Sequence, residues 1–104
     1  MRNKLGEHLK MLRETRGLLQ REVAANLGMD GALLSKMERG DRIPKKEILI
    51  KWGNILSADT TELVTLWLAE RVYKMLDEED LALKALRLAE DEVKYRTKSR
   101  RKRV

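Results

Sequence analysis

Apolar residues near the start of the chain recur at the spacing of an amphipathic helix. Leu5, Leu9 and Leu12 lie four and three residues apart, which places them on one helical face. Their pattern predicts a first helix over about residues 3–15. Gly17 follows the last apolar position and is expected to end this helix.

Two shorter helices are predicted next, with a tight turn between them. A helix over about residues 20–27 is followed directly by Gly28, which suits the left-handed position after a helix end. Asp30 is a favourable N-cap residue, and a third helix is expected to run from it to about Arg39.

Three more helices are predicted in the rest of the chain. Pro44 suits the first turn of a fourth helix, which extends to about residue 56. Asp59 is expected to cap a fifth helix with a wide apolar face. The acidic run 77–80 interrupts the apolar pattern and is expected to begin a sixth helix that ends near Tyr95.

The composition supports an all-α protein and excludes several other classes. The 104 residues include one proline and no cysteine, so neither a disulfide scaffold nor a thiolate zinc site is available. No run of 18 apolar residues exists, and residues 1–10 lack the apolar segment of a signal peptide. We therefore expect an all-α cytoplasmic protein of one domain, or of one domain with an appendage.

Charge is distributed unevenly along the chain. Residues 1–58 hold 12 basic and 7 acidic side chains, residues 59–94 hold 5 and 10, and residues 95–104 hold 6 and none. This pattern favours a basic head that binds a polyanion, a helical extension and a basic flexible tail. Solvated surface charge is the alternative explanation. The predicted segments are 1–58, 59–95 and 96–104.

The second and third predicted helices have the features of a helix-turn-helix. Ala24 lies where the two helices would cross, and a small residue allows them to approach closely. Gly28 follows four residues later, in the turn. Apolar residues are spaced to bury a seam between the helices, namely Val23, Leu27, Met29, Leu34 and Met37.

This region resembles the repressor-type (Xre/Cro-like) helix-turn-helix family over about residues 3–58. The residues that carry the resemblance are Leu12, Arg13, Arg16, Gly17, Leu18, Gln20, Arg21, Glu22, Val23, Ala24, Leu27, Gly28, Leu34, Ser35, Lys36, Met37, Glu38, Arg39, Gly40 and Pro44. The chain also resembles small regulators of this family that carry a helical C-terminal extension. Some of those relatives accompany restriction–modification systems or DNA methyltransferases.

The resemblance implies a set of residues that contact double-stranded DNA. Gln20 matches a phosphate-clamping position that also reaches a base. Arg13 and Glu38 match a buried ion pair that connects the first helix with the third. The implied DNA-contacting residues are Gln20, Arg21, Gly31, Ala32, Ser35, Lys36, Arg39, Arg42 and Lys45.

Three positions depart from the family pattern. Leu19 stands where Ser or Thr usually caps the second helix. Gly31 has no side chain at a base-reading position, and Ala32 offers only a methyl group. Base readout is therefore expected to depend on Ser35, Lys36, apolar contact with thymine and DNA shape.

Two functions remain open from the sequence. The first is a transcription regulator, either a repressor or a controller, that binds a palindromic operator as a homodimer. Its dimer interface is expected in the extension and includes Leu63, Leu66, Trp67 and Tyr73. The second is an antitoxin whose residues 59–95 neutralise a toxin protein while the head regulates its own gene.

Catalysis and cofactor binding are not expected. His8 is the single histidine and has no plausible partner for a metal site. The chain lacks cysteine and has no clustered Ser, Asp and His residues that would indicate an enzyme. No cofactor, no metal and no membrane association are therefore predicted.

Overall fold

Six α-helices make up the part of the chain that the structure describes. A computed structural model describes residues 4–102, and their side chains as far as residue 100. The helices are α1 (Lys4–Thr15), α2 (Gln20–Leu27), α3 (Gly31–Arg39), α4 (Lys46–Ile55), α5 (Thr60–Leu76) and α6 (Ala82–Lys102). No strand occurs within the described range, so the predicted all-α class is confirmed. Residue 3 and the last two residues of the predicted tail lie outside that range.

Helix starts are fixed by local hydrogen bonds. The Asp30 carboxylate accepts the Leu33 amide at 2.8 Å, and the Asp59 carboxylate accepts the Thr61 amide at 2.9 Å. Both predicted N-caps are thereby confirmed. Leu19 is the N-cap residue of α2 and has no side-chain oxygen that could accept a backbone amide. Instead, the Glu22 carboxylate accepts a hydrogen bond from the Leu19 amide at 3.0 Å.

Two predicted helix boundaries are corrected by the structure. Pro44 precedes α4 instead of lying in its first turn, because Lys45 is the N-cap residue. The acidic run 77–80 forms a turn before α6 and is not its first turn. Glu78 in that turn adopts a left-handed backbone conformation, with φ of 70°.

The basic tail is helical as far as residue 102, whereas we expected a flexible segment after residue 95. No proline or glycine interrupts α6, and Lys and Arg are good helix formers. Two i,i+4 ion pairs support the helix: Lys94 with Glu90 at 3.0 Å and Arg96 with Glu92 at 3.3 Å.

The chain divides into two compact units between Lys74 and Met75. The first unit includes α1 to α4 and almost all of α5. The predicted boundary after residue 58 differs from this division, because α5 packs on the core of the first unit.

A single hydrophobic core holds the first unit together. Helix α1 packs against α3, and α2 packs against both α3 and α4. All five helices supply buried side chains to this core. They are Leu5, Leu9, Val23, Ala24, Leu27, Leu34, Met37, Leu49, Trp52, Leu56, Leu63 and Trp67.

Helix α5 closes this core, which corrects part of the predicted dimer interface. Leu63 is 1% exposed and Trp67 is 9% exposed, so neither offers its side chain to a second chain. The Trp67 indole N–H donates to the Pro44 carbonyl at 2.8 Å. A Cβ added at Gly53 of α4 would lie 2.8 Å from Leu63 Cδ1, which shows how closely α4 and α5 approach.

The other two residues of that predicted interface lie nearer the surface. Leu66 is partly buried against the same core, whereas Tyr73 is exposed. The correction has a simple cause: helices α1 to α4 leave an apolar surface that α5 covers within the same chain.

The C-terminal unit consists of the last residues of α5, the acidic turn and α6. Among the α6 side chains that the structure describes, all except Ala82 and Ser99 are exposed, and none is buried. The exposed group includes five large apolar residues, namely Leu83, Leu86, Leu88, Val93 and Tyr95.

Candidate nucleic-acid interface

The turn between α2 and α3 begins at Gly28. This residue has φ of 71°, a left-handed conformation that glycine adopts without steric cost. No atom lies within 4 Å of a Cβ built there, so the backbone conformation alone explains the glycine. The next amide, that of Met29, donates to the Ala24 carbonyl at 3.0 Å and closes the end of α2.

A buried seam fixes the angle between the two helices. Val23 and Ala24 of α2 are 0% and 1% exposed, and Leu34 of α3 is 0% exposed. Leu27 and Met37 are also buried, whereas Met29 packs at the edge of the core. This arrangement leaves the opposite face of α3 open to solvent.

An ion pair between α1 and α3 lies beneath the interface. Arg13 Nε donates to Glu38 Oε2 at 2.7 Å, and Arg13 Nη2 donates to Oε1 at 3.1 Å. Arg13 Nη1 also donates to the Leu18 carbonyl at 2.8 Å. The hydrogen bonds that Arg13 donates to Glu38 outweigh the desolvation of its guanidinium and raise the pKa of Arg13.

The same carboxylate orients the first residue of α2. Gln20 Nε2 donates to Glu38 Oε1 at 3.0 Å. Glu38 therefore joins α1, α2 and α3 at one point. Gln20 is partly exposed, so its amide is held at the surface by a buried charge.

The outer face of α3 carries small and basic side chains. Ala32 and Lys36 are exposed, and Gly31 and Ser35 are partly exposed. A Cβ built at Gly31 would have no neighbour within 4 Å. Gly31 and Ala32 therefore place no bulky side chain on this face at the start of α3.

Arg39 lies on this face, one turn beyond Ser35. Its Nη1 donates to Ser35 Oγ at 2.8 Å, and its Nε donates to Asp41 Oδ2 at 3.2 Å. Arg39 is one of the DNA-contacting residues that the resemblance implies, and the structure connects it with a residue of the helix face. Asp41 was missed, and its position just beyond the Gly40 helix end is the only local signal for it.

The segment after α3 adds further positive charge. Arg42 and Lys45 are exposed there, as is Arg21 on α2. Lys74 of α5 donates to the Gly40 carbonyl at 3.3 Å and was also missed. No short-range pattern predicts this contact, because the two residues are 34 positions apart.

A shallow hollow lies between Gln20 at the start of α2 and Ser35 on the outer face of α3. Its lining residues come from α1, α2, α3 and the residue after Gly40, and they are Glu7, Lys10, Gln20, Ser35, Glu38, Arg39 and Asp41.

In residues 4–102 no group of His, Asp and Glu side chains could hold a metal ion. Among the helices that the structure describes, none is long and apolar enough to cross a membrane.

Two helices joined by a tight turn, with an open basic face on the second, define a helix-turn-helix protein. Residues 4–66 match the helix-turn-helix domain family, and the chain belongs to that family. It is also 38% identical over 65 residues to an uncharacterized HTH-type transcriptional regulator, y4dJ, of Sinorhizobium fredii (strain NBRC 101917 / NGR234). That match covers 62% of this chain and 84% of the relative. No solved structure matches the chain significantly.

Proposed function

We propose that this chain is a sequence-specific DNA-binding transcription regulator of the repressor type. In this proposal α3 enters the major groove, and two copies of the first unit bind the halves of a two-fold operator. The observation that carries the proposal is the outer face of α3, which is open and basic and lies opposite a buried seam. The similar protein of Sinorhizobium fredii is described as an HTH-type transcriptional regulator, which supports the same function.

Base readout is assigned to Ser35 and Lys36. Gly31 and Ala32 permit α3 to approach the bases closely, because neither has a long side chain. Lys36 is exposed and long enough to reach guanine O6 and N7. Ala32 presents a methyl group that suits contact with the methyl group of thymine.

Arg39 is assigned to a DNA phosphate, for which it would leave its contacts with Ser35 and Asp41. In the free protein Arg39 is held by Ser35 and Asp41. A phosphate competes well for a guanidinium, because charge-assisted bonds to phosphate are strong. Binding would therefore draw Arg39 to the backbone and expose Ser35 to the bases.

The remaining basic and polar residues are assigned to the phosphate backbone. Gln20 is oriented by Glu38, and Arg21, Arg42 and Lys45 are exposed around α3. Phosphate contacts release counterions, so affinity should fall steeply as the salt concentration rises. Substituting Arg42 should weaken binding to all DNA sequences about equally and should lower the salt slope.

The test compares Lys36→Ala with wild type on operator DNA and on a scrambled duplex. If Lys36 reads a base, the variant loses about 1–3 kcal/mol on the operator and much less on scrambled DNA. Lys51→Ala is the matched control, since Lys51 is an exposed lysine of α4 outside the proposed interface. Circular dichroism of each variant shows that the fold is retained.

Equal losses on both duplexes would assign Lys36 to a phosphate instead. If a folded Ser35→Ala, Lys36→Ala double variant keeps wild-type affinity and selectivity, α3 is not the element that reads the bases.

A second candidate function is an antitoxin, in which the C-terminal helices bind a toxin. The exposed apolar residues of the C-terminal unit favour a protein partner of some kind, and Leu81 and Leu88 are 67% and 72% exposed. A toxin gene beside this one, or a second chain that co-purifies, would support this function. A neighbouring restriction enzyme or methyltransferase gene would instead support a controller of a restriction–modification system.

A further inference from the structure

Helix α6 has one apolar half and one charged half. With 3.6 residues per turn, one half carries Leu81 from the preceding turn together with Ala82, Ala85, Leu86, Leu88, Ala89, Val93 and Tyr95. The other half carries Lys84, Arg87, Glu90, Asp91, Lys94 and Lys98. Leu83 is the one large apolar residue between residues 82 and 95 that falls on the charged half.

The apolar half is exposed to solvent. Leu88 is 72% exposed, Val93 63% and Tyr95 67%. A shallow apolar hollow at the start of the helix continues this surface, and it is lined by Met75, Leu76, Glu79, Leu81, Ala82 and Ala85. Most helices are stabilised by packing of an apolar face, so this face requires a partner.

Charges at the two ends of the apolar half are of opposite sign. The turn before the helix carries the acidic run 77–80. On the apolar half itself, the basic residues beyond Tyr95 are Arg96 and Arg100. The apolar stretch 81–95 is centred on Leu88, which lies eight residues after Asp80 and eight residues before Arg96.

We propose that the apolar half of α6 binds a second copy of this chain, with the two helices antiparallel and the two-fold axis near Leu88. The proposal deepens the dimeric regulator proposed above by naming its dimer interface and orientation. In this register Leu81 faces Tyr95 of the partner subunit, and Asp80 faces Arg96 of the partner subunit.

Charge complementarity selects the antiparallel orientation. Each acidic turn then lies beside Arg96 and Arg100 of the other copy, about 12 Å from the two-fold axis at 1.5 Å per residue. In the same register Glu92, the acidic residue of the apolar half, lies level with Lys84 of the partner subunit, which is at the edge of the charged half next to Tyr95. A parallel pair would instead place Arg96 against Arg96, and the acidic turn against itself.

The orientation is tested by disulfide cross-linking of the full chain without DNA. The chain has no cysteine, so an introduced cysteine gives only the intended disulfides. Leu81→Cys and Tyr95→Cys are matched variants, since both side chains are 67% exposed. A mixture of the two should form a covalent dimer under mild oxidation, whereas each variant alone should remain largely monomeric on a non-reducing gel.

The interface is tested by a matched pair of leucine substitutions. Leu88→Asp should convert the dimer to a monomer in light scattering, because it places a carboxylate at the two-fold axis. Leu83→Asp is the control on the charged half, with 70% exposure against 72% for Leu88, and should leave the dimer intact. Tryptophan fluorescence confirms that the first unit of both variants remains folded, because both tryptophans lie in its core.

Two results would overturn the proposal. Efficient cross-linking of Tyr95→Cys alone would show a parallel pair. A wild-type chain that is monomeric at high micromolar concentration would show that this face binds a different protein. Neither result bears on DNA recognition by α3, which the binding test of Lys36→Ala measures separately.

Discussion

The two units of the molecule use the same kinds of residues in opposite ways. In the first unit, an arginine–carboxylate pair lies inside, with side-chain exposures of 9% for Arg13 and 2% for Glu38. In α6, the pair of Arg96 with Glu92 lies in solvent, at 72% and 63%. The buried pair joins three helices, whereas the exposed pair connects two turns of one helix.

The apolar residues differ between the units in the same way. Leucines of the first unit, such as Leu34 and Leu49, are fully buried by their own chain. Those of α6 remain exposed and are available to a partner. Stability of the first unit is therefore expected to reside in its own contacts, and that of α6 to depend on association.

The largest effect is expected from breaking the buried ion pair. Glu38→Ala leaves the Arg13 guanidinium buried without its carboxylate, which should lower the free energy of unfolding by about 3–5 kcal/mol. Urea denaturation followed by tryptophan fluorescence measures this loss. Both tryptophans lie in the core of the first unit and report on its unfolding.

A double variant sharpens this prediction. Arg13→Met with Glu38→Leu removes both charges and should recover most of the loss, because apolar replacements of a buried pair are well tolerated. If the double variant were as unstable as Glu38→Ala, the loss would come from packing and not from the unpaired charge.

The next effect compares two leucines. Leu34→Ala creates a cavity in the core and should lower the free energy of unfolding by about 2–5 kcal/mol. Leu83→Ala removes the same atoms from an exposed site on α6 and should change stability by less than about 0.5 kcal/mol. Thermal unfolding of both variants, followed by circular dichroism because α6 contains no tryptophan, checks the difference. Similar losses would mean that α6 is packed as tightly as the core.

A smaller loss of stability is expected when the hydrogen bond between α5 and the rest of the first unit is removed. Trp67→Phe leaves the Pro44 carbonyl without its indole donor and should lower the free energy of unfolding by about 1–3 kcal/mol. Urea denaturation measures this loss. Tyr95→Phe is the control, since its hydroxyl is on an exposed ring. A neutral Trp67→Phe would show that the hydrogen bond to Pro44 contributes little to the stability of the first unit.

The smallest effect is expected at the exposed ion pair. Glu92→Gln removes the partner of Arg96, and the loss should stay below about 0.5 kcal/mol because solvent screens the pair. Helix content from circular dichroism at low and high salt measures it. A loss as large as that of Glu38→Ala would contradict the contrast between the two units.

The sequence predicted those parts of the fold that local chemistry determines. Gly28 and Asp30 mark the turn of the helix-turn-helix, and Asp59 marks the start of α5, because a left-handed residue and a side-chain cap act over four residues or fewer. The ion pair of Arg13 with Glu38 was expected only because the resemblance implies it.

The parts that were not predicted depend on long-range packing or on competing local effects. The apolar pattern of α5 showed that Leu63 and Trp67 would be buried, but not whether by the same chain or by another one. Trp67 bonds to Pro44 across 23 positions, and no local pattern contains that information. The high positive charge of the basic tail led to the expectation of a flexible segment. Favourable helix propensity and the Glu92–Arg96 pair instead keep it helical as far as residue 102.

Footprinting of the full chain on the DNA upstream of its own gene tests the central claim most directly. That claim is that α3 of the first unit reads DNA while α6 pairs two copies. We predict a two-fold protected site with half-sites about one helical turn apart, which Lys36→Ala weakens. Leu88→Asp should also weaken it, whereas Leu83→Asp should not. A wild-type chain that protects no site, or protection that survives the Ser35→Ala, Lys36→Ala double substitution unchanged, would contradict the account.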